Sequence, residues 1–114
     1  MTSADVPAKT ELLRGTLDML VLKTLTLGSL HGYGIAQHLQ DVSKDVLRVE
    51  EGSLYPALQR MRQKGWIKAE WKQTPNNQRA RYYALTPGGR KQLGEEESNF
   101  AQMLAAISLV MRRA

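Results

Sequence analysis

Apolar residues recur at helical spacing through most of the chain and at alternate positions through one stretch. Leu13, Leu17, Leu20, Thr24 and Leu27 fall on one face of a segment that starts at Lys9 or Thr10 and closes at Gly28. Leu12, Met19 and Leu22 give it a second apolar face, so this helix is deeply buried or shared with a partner. Gly15 interrupts it at about 1 kcal/mol unless something packs closely there, and close packing is the expectation. His31-Gly32-Tyr33-Gly34 then reads as a turn opening a helix from Ile35 to about Asp41, which buries Ile35, Ala36 and Leu39. Val42 to Lys44 is a polar loop, and Val46-Leu47-Arg48-Val49 is a short candidate strand.

A third helix follows in the stretch from Glu50 to Gly65. Ser53 is suited to cap its start, Pro56 to sit in its first turn, and Gly65 to supply the left-handed stop. Glu50 and Glu51 lie by the positive end of the helix dipole and Lys64 by the negative end. Leu54, Leu58 and Met61 form the buried stripe. Ser53, Tyr55, Gln59, Arg60, Gln63 and Lys64 then point outward, a face of hydroxyls, amides and cations without an acid. Amides and guanidinium groups read base edges in a major groove, and cations hold phosphates. The alternative for such a face is plain solvation.

After Gly65 the period changes to two. Ile67, Ala69 and Trp71 alternate with polar residues, Thr74-Pro75-Asn76-Asn77 makes a turn, and Arg79 to Thr86 returns as a second strand. Arg81, Tyr83 and Leu85 lie on one side of that strand, Tyr82 and Ala84 on the other. Two helices, a polar reading helix and a basic hairpin bearing Lys72, Arg79 and Arg81 make a winged helix-turn-helix. Thr86 and Pro87 then start a last helix, whose Glu95-Glu96-Glu97 run is solvated. Phe100, Met103, Leu104, Ile107, Val110 and Met111 give it a wide apolar stripe. At about 1.5–3 kcal/mol for each large side chain, that surface has to be covered. It folds over the first helix, packs on a second copy, or does both, and we expect both. Leu12 and Met19 belong to the same expected dimer interface.

Charge sharpens this reading. Gly52 to Lys91 holds nine Lys or Arg and one acid, Glu70, so the segment carries +8 within a chain of net charge +5; the remaining seven basic and ten acidic residues carry −3. A nucleic-acid footprint is concentrated in this way. Cysteine is absent, which excludes a disulfide scaffold and a thiolate metal site and fits a cytoplasmic protein. No signal-peptide pattern or membrane-length apolar run occurs in the sequence. His31 and His38 lie seven apart with no carboxylate at a matching ligand position, so His31 reads as a turn cap and His38 as a surface residue. No metal or cofactor is expected. Without a cysteine nucleophile, a phosphate loop or a histidine–carboxylate constellation, an enzyme is not expected either.

The run Leu12 to Leu22, His31-Gly32-Tyr33-Gly34, Glu51-Gly52-Ser53-Leu54-Tyr55-Pro56-Ala57-Leu58 and Arg81-Tyr82-Tyr83-Ala84-Leu85-Thr86, in that order, resemble the PadR family of bacterial transcriptional regulators. The resemblance covers about residues 10 to 93. It implies a mainly α fold with a small β-hairpin: a flexible tail over 1–9, a winged helix-turn-helix over 10–86, and a single dimerisation helix over 87–114, as in the small subgroup of that family. It places Ser53, Tyr55, Pro56, Gln59 and Arg60 on the recognition helix, to which Lys64 also belongs, and Arg79 on the wing. The implied function is a homodimeric, sequence-specific, ligand-responsive repressor whose partners are duplex DNA, a second copy and a small hydrophobic effector. Some relatives hold planar aromatic compounds with aromatic residues of the last helix. Here that helix offers only Phe100, and no particular effector is assigned. The competing reading is a winged-helix protein-interaction module that works through the apolar last helix.

Overall fold

The computed structural model describes residues 14–113. The tail, the start of the first helix, Leu12 and Leu13 lie outside the described residues. The elements in order are α1 (Arg14–Thr24), a 3-10 turn (Leu25–Leu27), β1 (Leu30–His31), α2 (Gly32–Val42), α3 (Glu51–Gln63), β2 (Ile67–Gln73), β3 (Arg79–Leu85) and α4 (Pro87–Arg113). This is a winged helix-turn-helix, mainly α, with one long helix appended.

α1, α2 and α3 meet over a shared core of Leu17, Val21, Leu22, Leu25, Ile35, Leu39, Leu54, Leu58 and Met61. The first helix buries both apolar faces within its own chain: Leu22 is fully covered and Met19 is 9 % exposed, so Met19 is not the partner-facing residue expected above. Leu27 departs from the expected stripe, because the 3-10 turn changes the phase and leaves it 68 % exposed. Among the described residues Gly15 is not closely packed either; a β-carbon there would meet only Glu96 Oε1, at an ordinary 3.5 Å.

The start of α3 differs from its sequence reading. Glu50 is the capping residue, and its carbonyl accepts from the amides of Ser53 at 3.0 Å and Leu54 at 2.9 Å. Ser53 therefore lies inside the helix, and its side chain caps nothing. Pro56 lies beyond the first turn, so the exposed Gly52 carbonyl lacks a helical donor and turns to solvent. The other end is as expected. Gly65 adopts φ +79°, its amide donates to the Arg62 carbonyl and that of Trp66 to the Met61 carbonyl, each at 3.0 Å.

Val46 to Val49 is not a strand. Lys44 and Asp45 take positive φ, the Leu47 amide donates to Ser43 Oγ, and no strand among the described residues pairs with the segment. The third strand is Leu30–His31, too short to show any period of its own. It pairs antiparallel with β3, Leu30 opposite Tyr83 and His31 opposite Tyr82, giving the sheet order β1-β3-β2. The β2–β3 register puts Ile67 opposite Leu85, Ala69 opposite Tyr83 and Trp71 opposite Arg81. Ile67 and Tyr83 are buried at the base of the hairpin, and exposure grows toward its tip.

One knot joins hairpin, α3 and α4. Thr86 Oγ1 donates to the Gly65 carbonyl at 2.6 Å and accepts from the Gly89 amide at 3.0 Å, capping α4 while tying it to the end of α3. Gly89 rests directly on Trp66: a β-carbon there would lie 2.0 Å from the Trp66 carbonyl oxygen, whereas one on Gly88 would stand 3.4 Å from its nearest neighbour. Replacing Gly89 with alanine should therefore destabilise the fold by about 1–3 kcal/mol through forced separation of α4 from the hairpin. Gly88→Ala should stay within about 1 kcal/mol of the parent. Urea unfolding of the two variants checks the contrast.

Candidate nucleic-acid interface

Ser53, Tyr55, Pro56, Gln59 and Gln63 lie exposed on α3, and Lys64 lies exposed at its C-terminal cap. Gln59 Oε1 accepts from Arg62, and the Lys64 ammonium sits 4.8 Å over the Trp66 ring, so both polar groups have defined positions on the surface. Tyr55 is only half turned outward. Its hydroxyl lies against Gly32 so closely that a β-carbon there would stand 2.5 Å from it. Burial, and then the nearby Glu51 carboxylate, push the phenol above its usual value, so it remains a protonated donor. The His31-Gly32-Tyr33-Gly34 motif thus makes a seat. His31 Nδ1 accepts the Gly34 amide at 2.9 Å and caps α2, and Gly32 leaves room for Tyr55. His38 is a half-buried residue on α2, remote from that seat.

Across from Tyr55 stands the wing. Arg79 and Arg81 lie 5.0 Å and 5.8 Å over the Trp71 ring, on one face of the ribbon. Lys72 is on the other face, over Tyr82 at 5.3 Å, so the three cations read together from sequence are divided between two surfaces. The tip is closed by Thr74, whose amide donates to the Gln78 carbonyl and whose hydroxyl donates to Asn76 Oδ1, with Asn77 at φ +68°. Between wing and helices lies an open cleft of about 850 Å³, lined by His31, Tyr33, Tyr55, Trp71, Thr74, Asn76, Gln78, Arg79 and Arg81 among others, with no carboxylate in its wall. The contributions of Tyr33, Asn76 and Gln78 were not legible in sequence, because they reach the cleft from two segments far apart in the chain, the start of α2 and the hairpin turn. Glu50 and Glu51 face a separate hollow shared with Arg48, Gln37 and Gln40. Among the described residues no cluster of potential metal ligands occurs and no helix is long and apolar enough to cross a membrane.

Arg60 does not point outward as expected. Its Nη2 donates to Asp18 Oδ1 at 2.5 Å, joining α3 to α1 across 42 positions of sequence. Asp18 is 5 % exposed, an acid on the buried side of α1. Burial raises its carboxyl above the ordinary 3.8 and outweighs the Arg60 guanidinium, which pulls it down; Glu96 of α4 adds to the rise and Lys64 opposes it. Of the nine cations between Gly52 and Lys91, only Arg60 is ion-paired among the described residues.

A reading helix seated on two others, flanked by a basic ribbon, defines a winged-helix DNA-binding regulator. The family profile described as transcriptional regulator PadR-like matches residues 21–95. The chain is also 28 % identical to a PadR family transcriptional regulator from Eggerthella lenta, with a TM-score of 0.75 over 89 % of this chain and 86 % of that one. It is 26 % identical to a transcriptional regulator from Clostridium thermocellum, with a TM-score of 0.77 over 83 % and 92 % of the two chains. An uncharacterized protein of Lysinibacillus sphaericus is 26 % identical over 103 residues, covering 90 % of this chain and 94 % of that protein. The chain belongs to the PadR-like family of transcriptional regulators, whose members regulate by binding DNA and are not enzymes.

The upward shift of Asp18 means that the folded state holds its proton more tightly than the unfolded chain. Its contribution to stability is therefore fully present below 3.8 and lost as pH rises through the raised folded value. Relative to Asp18→Asn, the parent should be at its most stable in acid, lose that margin on the way to neutrality and then run parallel. Urea midpoints across a pH series check the sign; a margin that widened with pH would contradict dominance by burial.

Proposed function

We propose that this regulator is a cytoplasmic, homodimeric, sequence-specific repressor, that the winged helix-turn-helix over 10–86 is its DNA-binding unit, and that the helix over 87–114 dimerises it. The observation that carries the DNA reading is the carboxylate-free cleft between α3 and the wing, with Arg79 and Arg81 on one wall and Tyr55 on the other. α3 enters a major groove with Gln59 and Gln63 toward base edges and Ser53, Tyr55 and Pro56 at the groove wall. Arg79 and Arg81 hold phosphates from the cleft side, Lys64 does so from the far end of α3, and Lys72 from the outer face of the ribbon.

Dimerisation is supported by the far half of α4. Phe100, Met103, Leu104, Ile107, Leu109, Val110 and Met111 are each between 44 % and 73 % exposed in the single chain, more contiguous apolar surface than a lone protomer keeps in water. A two-fold pair through that face would set two α3 helices on one side of the duplex, about 34–36 Å apart for successive half-sites. An apolar hollow of about 250 Å³ at the seam of α1 and α4, lined by Met19, Phe100 and Met103, is where a small hydrophobic effector would bear on the pair.

Two measurements test this. Arg79→Ala should weaken binding to every duplex alike and reduce the slope of log affinity against log salt by about 0.9, one phosphate contact. A change of preferred sequence at constant slope would make Arg79 a base reader instead. Ile107→Glu should convert the dimer to a folded monomer in sedimentation velocity and lower affinity for a two-half-site duplex at least about tenfold, through lost avidity. A parent that sediments as a monomer at micromolar concentration would refute the dimer.

A further inference from the structure

We infer that Arg60 is a positioning residue and not a DNA contact: held by Asp18, it sets the roll of the recognition helix and so decides which side chains meet the bases. The inference rests on the DNA-binding reading of α3 given above.

Helix α3 lies on the core through Leu54, Ala57, Leu58 and Met61, all nearly or fully buried. An apolar stripe alone resists separation strongly but rotation weakly, because dispersion contacts have little directionality. Two contacts supply the missing direction. At 3.6 residues per turn, Tyr55 and Arg60 fall about 140° apart on the helix, one on each shoulder of the buried stripe. Tyr55 is stopped against the Gly32 backbone on α2, and Arg60 is tied to Asp18 on α1. Gln59 and Gln63 lie on the arc between those shoulders, opposite the stripe. Small changes of roll would swing their amides away from base edges, where hydrogen bonding tolerates little misalignment.

The surroundings of Arg60 agree with a fixed role. Its side chain is 23 % exposed and that of Asp18 is 7 % exposed. Arg60 Nε is buried and has no hydrogen-bond partner, so the arm of the side chain is enclosed and only its far end is engaged. Reaching a phosphate would strip a buried carboxylate of its guanidinium partner, a poor exchange for a contact made in solvent. The pair therefore trades some stability for a defined orientation, the use best attested for buried polar groups.

Two mechanisms give opposite signs for one substitution. If Arg60 were a phosphate contact restrained by Asp18, Asp18→Leu would free a cation, tighten binding to any duplex and steepen the salt slope. If Arg60 positions the helix, the same change loosens only sequence-specific binding. The probes are a duplex enriched by the parent protein from a randomised pool and an unenriched duplex of equal length, titrated by anisotropy across a salt series. Asp18→Leu, Arg60→Met and the double variant should each lose about tenfold or more on the enriched duplex, within the range of a misread base pair. Binding to the unenriched duplex and the salt slope should stay unchanged, and the double variant should be no worse than either single one. The double variant also replaces the ion pair with apolar groups, so retained stability in urea together with lost preference separates positioning from unfolding. Tighter binding by Asp18→Leu, or a salt slope lowered by Arg60→Met, would overturn the inference.

Should the parent bind no duplex in a salt-dependent way, the DNA reading fails by itself. Amide exchange in the free protein then decides on the tether. The two single variants and the double variant should lose protection equally over Leu58–Gln63, and unchanged protection there would refute the tether.

Discussion

The buried face of α3 is the constraint from which the rest of the molecule follows. Leu54, Leu58 and Met61 are covered by α1 and α2, and the chain leaves the same helix through Gly65 directly into the hairpin. Helix, wing and α4 are therefore spaced by one continuous set of contacts: the Gly65 turn, the Thr86 hydroxyl bridging it to α4, and Gly89 lying on the Trp66 carbonyl. None of these is strong alone. Together they fix where the base of the wing and the start of α4 sit relative to α3.

Charge is arranged around that frame and not within it. The exposed pair Lys23–Glu97, at 3.2 Å, joins α1 to α4 and adds little in water. The cations of the cleft lie over aromatic rings, Arg79 and Arg81 over Trp71, which restricts their rotamers. Asp18 and Arg60 are the exception, a charged pair drawn into the boundary of the core.

Much was readable from particular residues. The stripe Leu54, Leu58 and Met61, the Gly65 stop, the Thr86 cap, the His31 turn cap and the alternating hairpin are local patterns, each set by neighbours within a few positions, and each lies where its pattern placed it. The misreadings share a different property. Ser53 looks like a cap, but Glu50 already occupies the position where the backbone turns into the helix. Val46 to Val49 has strand composition, but no strand among the described residues pairs with it, while Leu30–His31 has no strand pattern and is recruited because β3 lies beside it. Met19 looks available to a partner and is covered by its own chain.

The succession of helices, the hairpin with its turn and the gathering of positive charge into forty residues are properties of the sequence itself, because periodicity, capping and charge count are local quantities. Which side chains those elements present was decided only in three dimensions. Arg60 and Gln59 are adjacent in the chain, yet one faces Asp18 and the other faces solvent. Lys72 and Arg81 share a hairpin but not a face. A residue's partner across 42 positions depends on how helices pack, and packing is a collective outcome that no short stretch encodes.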